Sequence, residues 1–249
     1  MKKLIIFDLD GTISESKSPI DEYMASLLDK LLKITKVAII SGGNWNQFQN
    51  QILEKLGEKV NLKNLSLLPT CGTKFYQFQS IWNVLYVKNF TKVEKKEIID
   101  SIQHAMIKTG FKAKETWGDV IEDRGSQITF SGLGQLAPIA KKIKWDPNFS
   151  KRKEMKVILD SLLPKFSVRL GGTTSIDITK KGIDKAYGIK KLSHVLKMPI
   201  NEMIFIGDAI FEGGNDFPIK NTGVNCIQVN NPLETKLVIE TIINLYKKN

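Results

Sequence analysis

The sequence predicts an α/β fold: a doubly wound, mostly parallel sheet interrupted by an inserted α+β unit. Three observations predict it. Short apolar runs alternate with helix-period segments through the first third of the chain. The same alternation returns in the last quarter. Between them the order changes to helix, hairpin, helix, hairpin, which marks an antiparallel unit. The insertion is expected over residues 84–182, with 1–83 and 183–249 forming one discontinuous core.

Element by element, "KKLIIF" reads as a first buried strand. "IDEYMASLLDKLLKI" places Met24, Leu27, Leu28, Leu31 and Leu32 at helical spacing. "KVAII" is a second strand, ending at Ser41-Gly42-Gly43, and "WNQFQNQILEKLG" a helix with Gly57 as its stop. "LSLLP" is a third strand, followed by a turn at "TCG" and more extended chain. In the insertion, "VEKKEIIDSIQHAMIKTG" and "SKRKEMKVILDSLLPKF" are helices. "DVIEDRGSQITFSG" and "SVRLGGTTSIDIT" are strand pairs turning at Gly125-Ser126 and Gly171-Gly172. The core then resumes with helix "IDKAYGIKKLSHVLK", strands "EMIFIGD" and "VNCIQV", and a closing helix "PLETKLVIETIINLY".

Composition narrows the function classes. The chain has 249 residues, 42% hydrophobic and 25% charged, ordinary for a globular protein. No apolar run approaches the ~20 residues a membrane helix needs. The opening apolar patch stops at Asp8, too short for a signal peptide, so a cytoplasmic protein without a membrane partner is expected. Net charge is +11, but the lysines are interrupted by acids, as in "TKVEKKEIID". They read as solvated helix faces, not as a nucleic-acid surface. Two histidines and two isolated cysteines, Cys71 and Cys226, do not compose a zinc site. Trp45, Trp82, Trp117 and Trp145 read as packing residues.

The chemistry is expected where strands end. In open parallel sheets, ligands bind at the carboxyl ends of strands. Asp8 and Asp10 follow the first strand, Ser41 the second, and Asp208 the strand "EMIFIG". Unpaired carboxylates crowded together repel, and a bound cation resolves this. All-oxygen ligands favour Mg²⁺, which sits between carboxylates and a substrate phosphate. One N-terminal aspartate can then attack phosphorus while the other donates a proton to the leaving oxygen. Phosphoryl transfer also needs positive charge, for which Lys185 is the candidate, with Ser41 and the amides of Gly42 and Gly43 as neutral donors. Asn215 and Asp216, in "GGND", are candidates to hold metal-bound water or to orient Lys185. Taken singly, each has a plain alternative: Asp after a strand, Ser-Gly-Gly as an ordinary turn, a solvated lysine opening a helix. Chance explains all four together poorly.

In that order, "DLDGT", "SGG", Lys185 and "GDAIFEGGND" resemble the four motifs of the haloacid dehalogenase superfamily. The Rossmann-like core and inserted unit resemble its Cof-type branch, and within it the eukaryotic-type phosphomannomutases, which "IEDRGSQITFSGLGQ" and "RLGGTTSIDITKKGIDK" also resemble. The resemblance implies Asp8 as nucleophile and Asp10 as acid/base. It implies Mg²⁺ held by Asp8, the Asp10 carbonyl and Asp208, and a hexose phosphate held by Arg124, Ser175 and Asp177. It also implies dimerisation through the inserted unit. Gln135 stands where the family keeps a second arginine, Lys141 or Lys142 where it keeps a third, and Lys17 replaces an arginine of the core loop. Losing charged, bidentate contacts costs about 1–3 kcal/mol each, which weakens the grip a mutase needs on a second phosphate. The expectation is therefore a Mg²⁺-dependent phosphatase acting on a small phosphorylated metabolite, a sugar phosphate, through an aspartyl phosphate. Interconversion of hexose 1- and 6-phosphates is the alternative, and a catalytically silent binding protein a third.

Overall fold

The computed structural model describes residues 1–111 and 113–247. In chain order its strands are β1 (Leu4–Phe7), β2 (Lys36–Ile40), β3 (Leu65–Leu68), β4 (Lys74–Phe78), β5 (Trp82–Val87), β6 (Ile121–Asp123), β7 (Gln127–Ser131), β8 (Phe166–Gly171), β9 (Ser175–Lys180), β10 (Met203–Gly207) and β11 (Asn225–Gln228). Its helices are α1 (Glu22–Leu32), α2 (Trp45–Gln51), the single turn α3 (Pro69–Gly72), α4 (Lys92–Thr109), α5 (Ile139–Trp145), α6 (Ser150–Leu162), α7 (Lys185–Leu196) and α8 (Pro232–Lys247).

The chain divides into two units, one from residues 1–87 with the segment from Asp184 onward, the other Lys88–Ile183. The first holds a seven-stranded sheet in the order β11-β10-β1-β2-β3-β4-β5. β1 is its centre, parallel to both β10 and β2. All four residues of β1 are buried, without polar alternation, because both faces of a parallel sheet are covered. Ile5 and Phe7 pack with α1 and α8, while Leu4 and Ile6 pack with Ile189 and Leu192 of α7. Helices on both faces make the sheet doubly wound. α1 starts at Asp21, whose side chain accepts the Met24 N–H at 2.8 Å, and it buries the five apolar residues read from its spacing.

Two details depart from the sequence reading. β4 and β5 form an antiparallel hairpin that extends the sheet, so the first unit runs through Val87 and not Asn83. Tyr76 of β4 stacks on Trp45 at 4.0 Å, with Trp82 edge-on at 5.6 Å, which ties this hairpin to α2. α2 ends at Gln51 instead of continuing to Gly57, because the buried Ile52 leaves the helical conformation and a 3₁₀ turn, Leu53–Lys55, follows.

The second unit has an antiparallel sheet in the order β6-β7-β9-β8. Ile128 and Phe130 of β7 and Ile176 and Ile178 of β9 share a core with Ile98 and Ile102 of α4 and Met155 and Leu159 of α6. α4 opens with a capping box, Thr91 with Glu94, and stops at the left-handed Gly110. α5 has no counterpart in the sequence reading. Among the described residues, no helix is long and apolar enough to cross a membrane.

Candidate active site

The register Phe7↔Ile206 lays the chains that carry Asp8 and Asp208 side by side at the ends of β1 and β10. Gly11 permits the close approach that follows. Its φ is +89°, and a Cβ there would lie 2.7 Å from Asp208 Oδ2. The Thr12 hydroxyl faces Asp8 Oδ2 at 3.1 Å and Asp208 Oδ1 at 3.4 Å, and accepts the Asp208 N–H at 3.1 Å. Its single proton serves one carboxylate at a time.

Lys185 is the first residue of α7, behind the N-cap Asp184, whose side chain accepts the Tyr187 N–H at 3.0 Å. A cation is disfavoured at a helix N-terminus by the backbone dipole, so it needs partners. It has two: the buried Nζ donates to Asp216 Oδ1 at 2.5 Å and to Asp8 Oδ1. Asp216 is itself buried and fixed by the Ala209 N–H, donating to Oδ2 at 3.1 Å. Asn215, next to it, is exposed.

Three carboxylates thus surround one ammonium. Burial pushes the Asp8 carboxyl up to about 8; Lys185 opposes the rise, and Asp216 and Asp208 add to it. The Asp208 carboxyl is raised by burial and then by Asp216. For Lys185, burial works to lower the value, but Asp216 and Asp8 outweigh it and hold it above the ordinary lysine range. The ammonium is therefore charged, and the raised Asp8 and Asp208 carboxyls show that ionising all the carboxylates together is unfavourable without a further cation. Asp8, Asp208 and Asp216 bring carboxylate oxygens within 4.8 Å of one another, an arrangement that could hold a metal ion. The all-oxygen donor set and the mutual repulsion of its carboxylates fit a hard divalent cation.

The other N-terminal aspartate lies apart from this group. The Asp10 carboxylate accepts from Gln47 Nε2 at 2.7 Å, Gln51 Nε2 at 3.2 Å and the Lys17 backbone N–H at 2.7 Å. Ser41 is buried, and its Oγ accepts the Gly43 N–H at 3.0 Å. The Gly43 amide is thus engaged inside its own turn.

In the second unit, alternation sends Gln127, Thr129 and Ser131 of β7 to the face opposite the apolar core. Cross-strand pairing puts Thr129 against Asp177 and Ser131 against Ser175. Asp177 Oδ1 accepts from Thr129 Oγ1 at 2.7 Å and Gln127 Nε2 at 2.9 Å. The Ser131 and Ser175 hydroxyls are 2.7 Å apart, and Gln135 Nε2 donates to Ser131 at 3.0 Å. Arg124 Nη2 pairs with Glu122 at 2.7 Å and reaches Gln135 Oε1 at 3.4 Å. Arg124, Gln135, Ser131 and Ser175 therefore share one side-chain network, and Asp177 a second with Thr129 and Gln127 on the same strand face. Lys142 Nζ donates to the Gln135 carbonyl at 2.8 Å.

Sequence reasoning did not find Thr12, Gln47, Gln51, Gln127, Thr129 or Ser131. For the β7 residues a signal existed, the polar alternation of "QITFS". Thr12 was inside the quoted "DLDGT", and Gln47 and Gln51 lie four apart on one helix face.

A doubly wound sheet with an inserted α+β unit and an acidic cluster at the ends of β1 and β10 is the arrangement of the haloacid dehalogenase superfamily. A family model described as "Eukaryotic phosphomannomutase" matches residues 24–245. The chain belongs to that family. The phosphomannomutase of Encephalitozoon cuniculi (strain GB-M1) is 27% identical over 250 residues, spanning 94% of this chain and 91% of that protein. The phosphomannomutase of Schizosaccharomyces pombe (strain 972 / ATCC 24843) is 23% identical over 253 residues, spanning 98% and 95%. Among solved structures, a C-terminal truncated Plasmodium falciparum IMP-nucleotidase superposes with a TM-score of 0.74 at 20% identity, over 98% of this chain and 72% of that one. The C-terminal domain of C. albicans trehalose-6-phosphate phosphatase superposes with a TM-score of 0.65 at 19% identity, over 98% and 93%. These superpositions report shared fold.

Proposed function

We propose that the chain transfers a phosphoryl group between the 1- and 6-positions of a hexose phosphate, as its family name describes. The observation that carries the reading is the environment of Asp8: a buried carboxylate at a strand end, with one oxygen on Lys185 and the other facing Thr12. Family membership and the named relatives weigh for isomerisation over the hydrolysis that the missing arginines favour.

In the first step a carboxylate oxygen of Asp8 forms a bond to phosphorus. The bond from phosphorus to the hexose oxygen breaks, and Asp10 gives that oxygen its proton. In the second step the free hydroxyl of a hexose monophosphate attacks the acyl phosphate, its proton passes to Asp10, the bond from phosphorus to Asp8 breaks, and Asp8 is released as a carboxylate. The product is a hexose 1,6-bisphosphate, whose other phosphoryl group Asp8 takes in the next first step, leaving the isomerised monophosphate. Lys185 offsets negative charge developing at the reacting centre, and Asp216 with Asp8 fixes where its ammonium lies. Mg²⁺ held by Asp8, Asp208 and Asp216, with the Asp10 carbonyl as the family resemblance adds, would supply further positive charge for the phosphoryl oxygens. The polar groups of Arg124, Gln135, Ser175 and Asp177 are the proposed hold on the sugar phosphate.

The test incubates the chain with mannose 1-phosphate, Mg²⁺ and a hexose 1,6-bisphosphate. The 6-phosphate isomer should accumulate with no matching release of inorganic phosphate. Stoichiometric phosphate without isomer would return the reading to a phosphatase. Asp8→Asn should abolish either activity, by at least about a thousandfold, since the acyl phosphate cannot form.

A further inference from the structure

Asp10 is gripped from one helix. α2 starts at Asn44, whose side chain accepts the Gln47 N–H at 3.0 Å, and it presents Gln47 and Gln51 one turn apart. Each gives its amide nitrogen to a different oxygen of Asp10, at 2.7 Å and 3.2 Å. Three further observations show that these contacts are built. The Gln47 side chain lies where a Cβ of residue 43 would be, 2.3 Å from its Oε1, so Gly43 makes room for it. Its Oε1 also accepts from Lys17 Nζ at 2.9 Å, which joins the loop lysine to the same network. Gln51 is buried, with its Nε2 reaching Ser14 Oγ at 3.1 Å and Ser18 O at 2.7 Å, yet its Oε1 is buried without a hydrogen-bond partner. Burying an amide oxygen unsatisfied is unfavourable, and such exceptions call for a reason. Lys17 adds a second unfavourable element: at φ +61° it sits in the left-handed region, and there its N–H donates to Asp10 Oδ1.

We infer that Gln47 and Gln51 are positioning residues that fix the Asp10 carboxylate for proton transfer. The inference rests on the reading of Asp10 as acid/base. All three contacts to Asp10 are N–H donors, so the form they recognise is the carboxylate. That is the form required in the second step, when the attacking hydroxyl loses its proton to Asp10 as the bond from phosphorus to Asp8 breaks. A side chain on a loop rotates freely; two amides projecting from a helix hold both of its oxygens in one plane.

An aryl phosphate separates the two steps. A nitrophenolate leaves without a proton, so phosphorylation of Asp8 does not need Asp10, whereas dephosphorylation by water or sugar does. In rapid-mixing experiments Gln47→Met and Gln51→Met should keep the first release of nitrophenolate within about twofold and slow dephosphorylation about tenfold, a part of the 10²–10⁴ that general acid–base catalysis contributes. A merely structural role would slow both steps together, and that result, or no effect on either, overturns the inference. Gln47 is half-buried and its variant keeps the test open should Gln51→Met not fold. Asp10→Asn distinguishes the levels. If it slows dephosphorylation while both glutamine variants behave as wild type, the inference alone falls. If Asp10→Asn spares dephosphorylation, the acid/base reading falls and takes the inference with it.

Discussion

Lys185 is the residue whose removal exposes most about the site. Its ammonium is the one cation bonded to both Asp8 and Asp216 among the described contacts. Breaking a buried ion pair by deleting one partner costs about 3–5 kcal/mol, because the remaining charge is left without compensation. Lys185→Met should lower the metal-free unfolding free energy by roughly that amount, read by urea denaturation, and Mg²⁺ should restore more stability to the variant than to the wild type. Asp208→Asn should raise the Mg²⁺ concentration needed for half-maximal activity, because one of three carboxylates of the proposed site is neutralised. At this scale much was legible. Asp8 and Asp208 end apolar strands and Lys185 opens a helix, positions where local pattern dictates placement. Thr12, Gln47 and Gln51 act through side-chain bonds across loops, and no periodicity announces which acceptor a glutamine will meet.

Individual elements depend on caps and buried pairs that can be tested separately. Asp21 caps α1, and its carboxyl is held below the ordinary range by a bond from Lys236 of α8 at 2.5 Å, then by the Met24 N–H. A depressed carboxyl contributes stability that is full above its unfolded value, about 3.9, and lost as pH falls through its folded value. Asp21→Asn keeps a capping oxygen but cannot titrate. Its stability should fall less than wild type's on acidification below about pH 4, measured by denaturant unfolding across that range. In the second unit, Arg152 is buried with Asp146 at 2.7 Å and donates to the carbonyls of Gly171 and Gly172 at 3.1 and 2.7 Å. Asp146→Ala should destabilise by about 3–5 kcal/mol. The helices around these pairs were readable from periodicity, as α4 and α6 illustrate. α5 was not, since "IAKKIKW" has no cap signal and exposes Ile139 and Ile143. Of the β4–β5 hairpin the sequence shows only extended chain at β4, and β5 falls across the expected boundary of the insertion, because pairing to β3 is a tertiary fact that local pattern does not encode.

For the whole molecule, charge is the property with the widest reach. A net charge of +11 creates a field that draws anions, and its effect weakens as salt shortens the Debye length. The kcat/KM for a hexose bisphosphate should fall with ionic strength more steeply than that for a monophosphate, since the charge being steered is larger. Equal slopes in a salt series would show that the field plays no part in capture. The discontinuity of the first unit carries a temporal consequence. β1 is made well before its neighbour β10 and the partners Lys185, Asp208 and Asp216, which arrive only after Ile183. A ribosome product released early presents the open edge of Leu4–Phe7 and an aspartate without counter-charge. An open strand edge is prone to self-association, so chaperone capture should concentrate on nascent chains that end before Asp216.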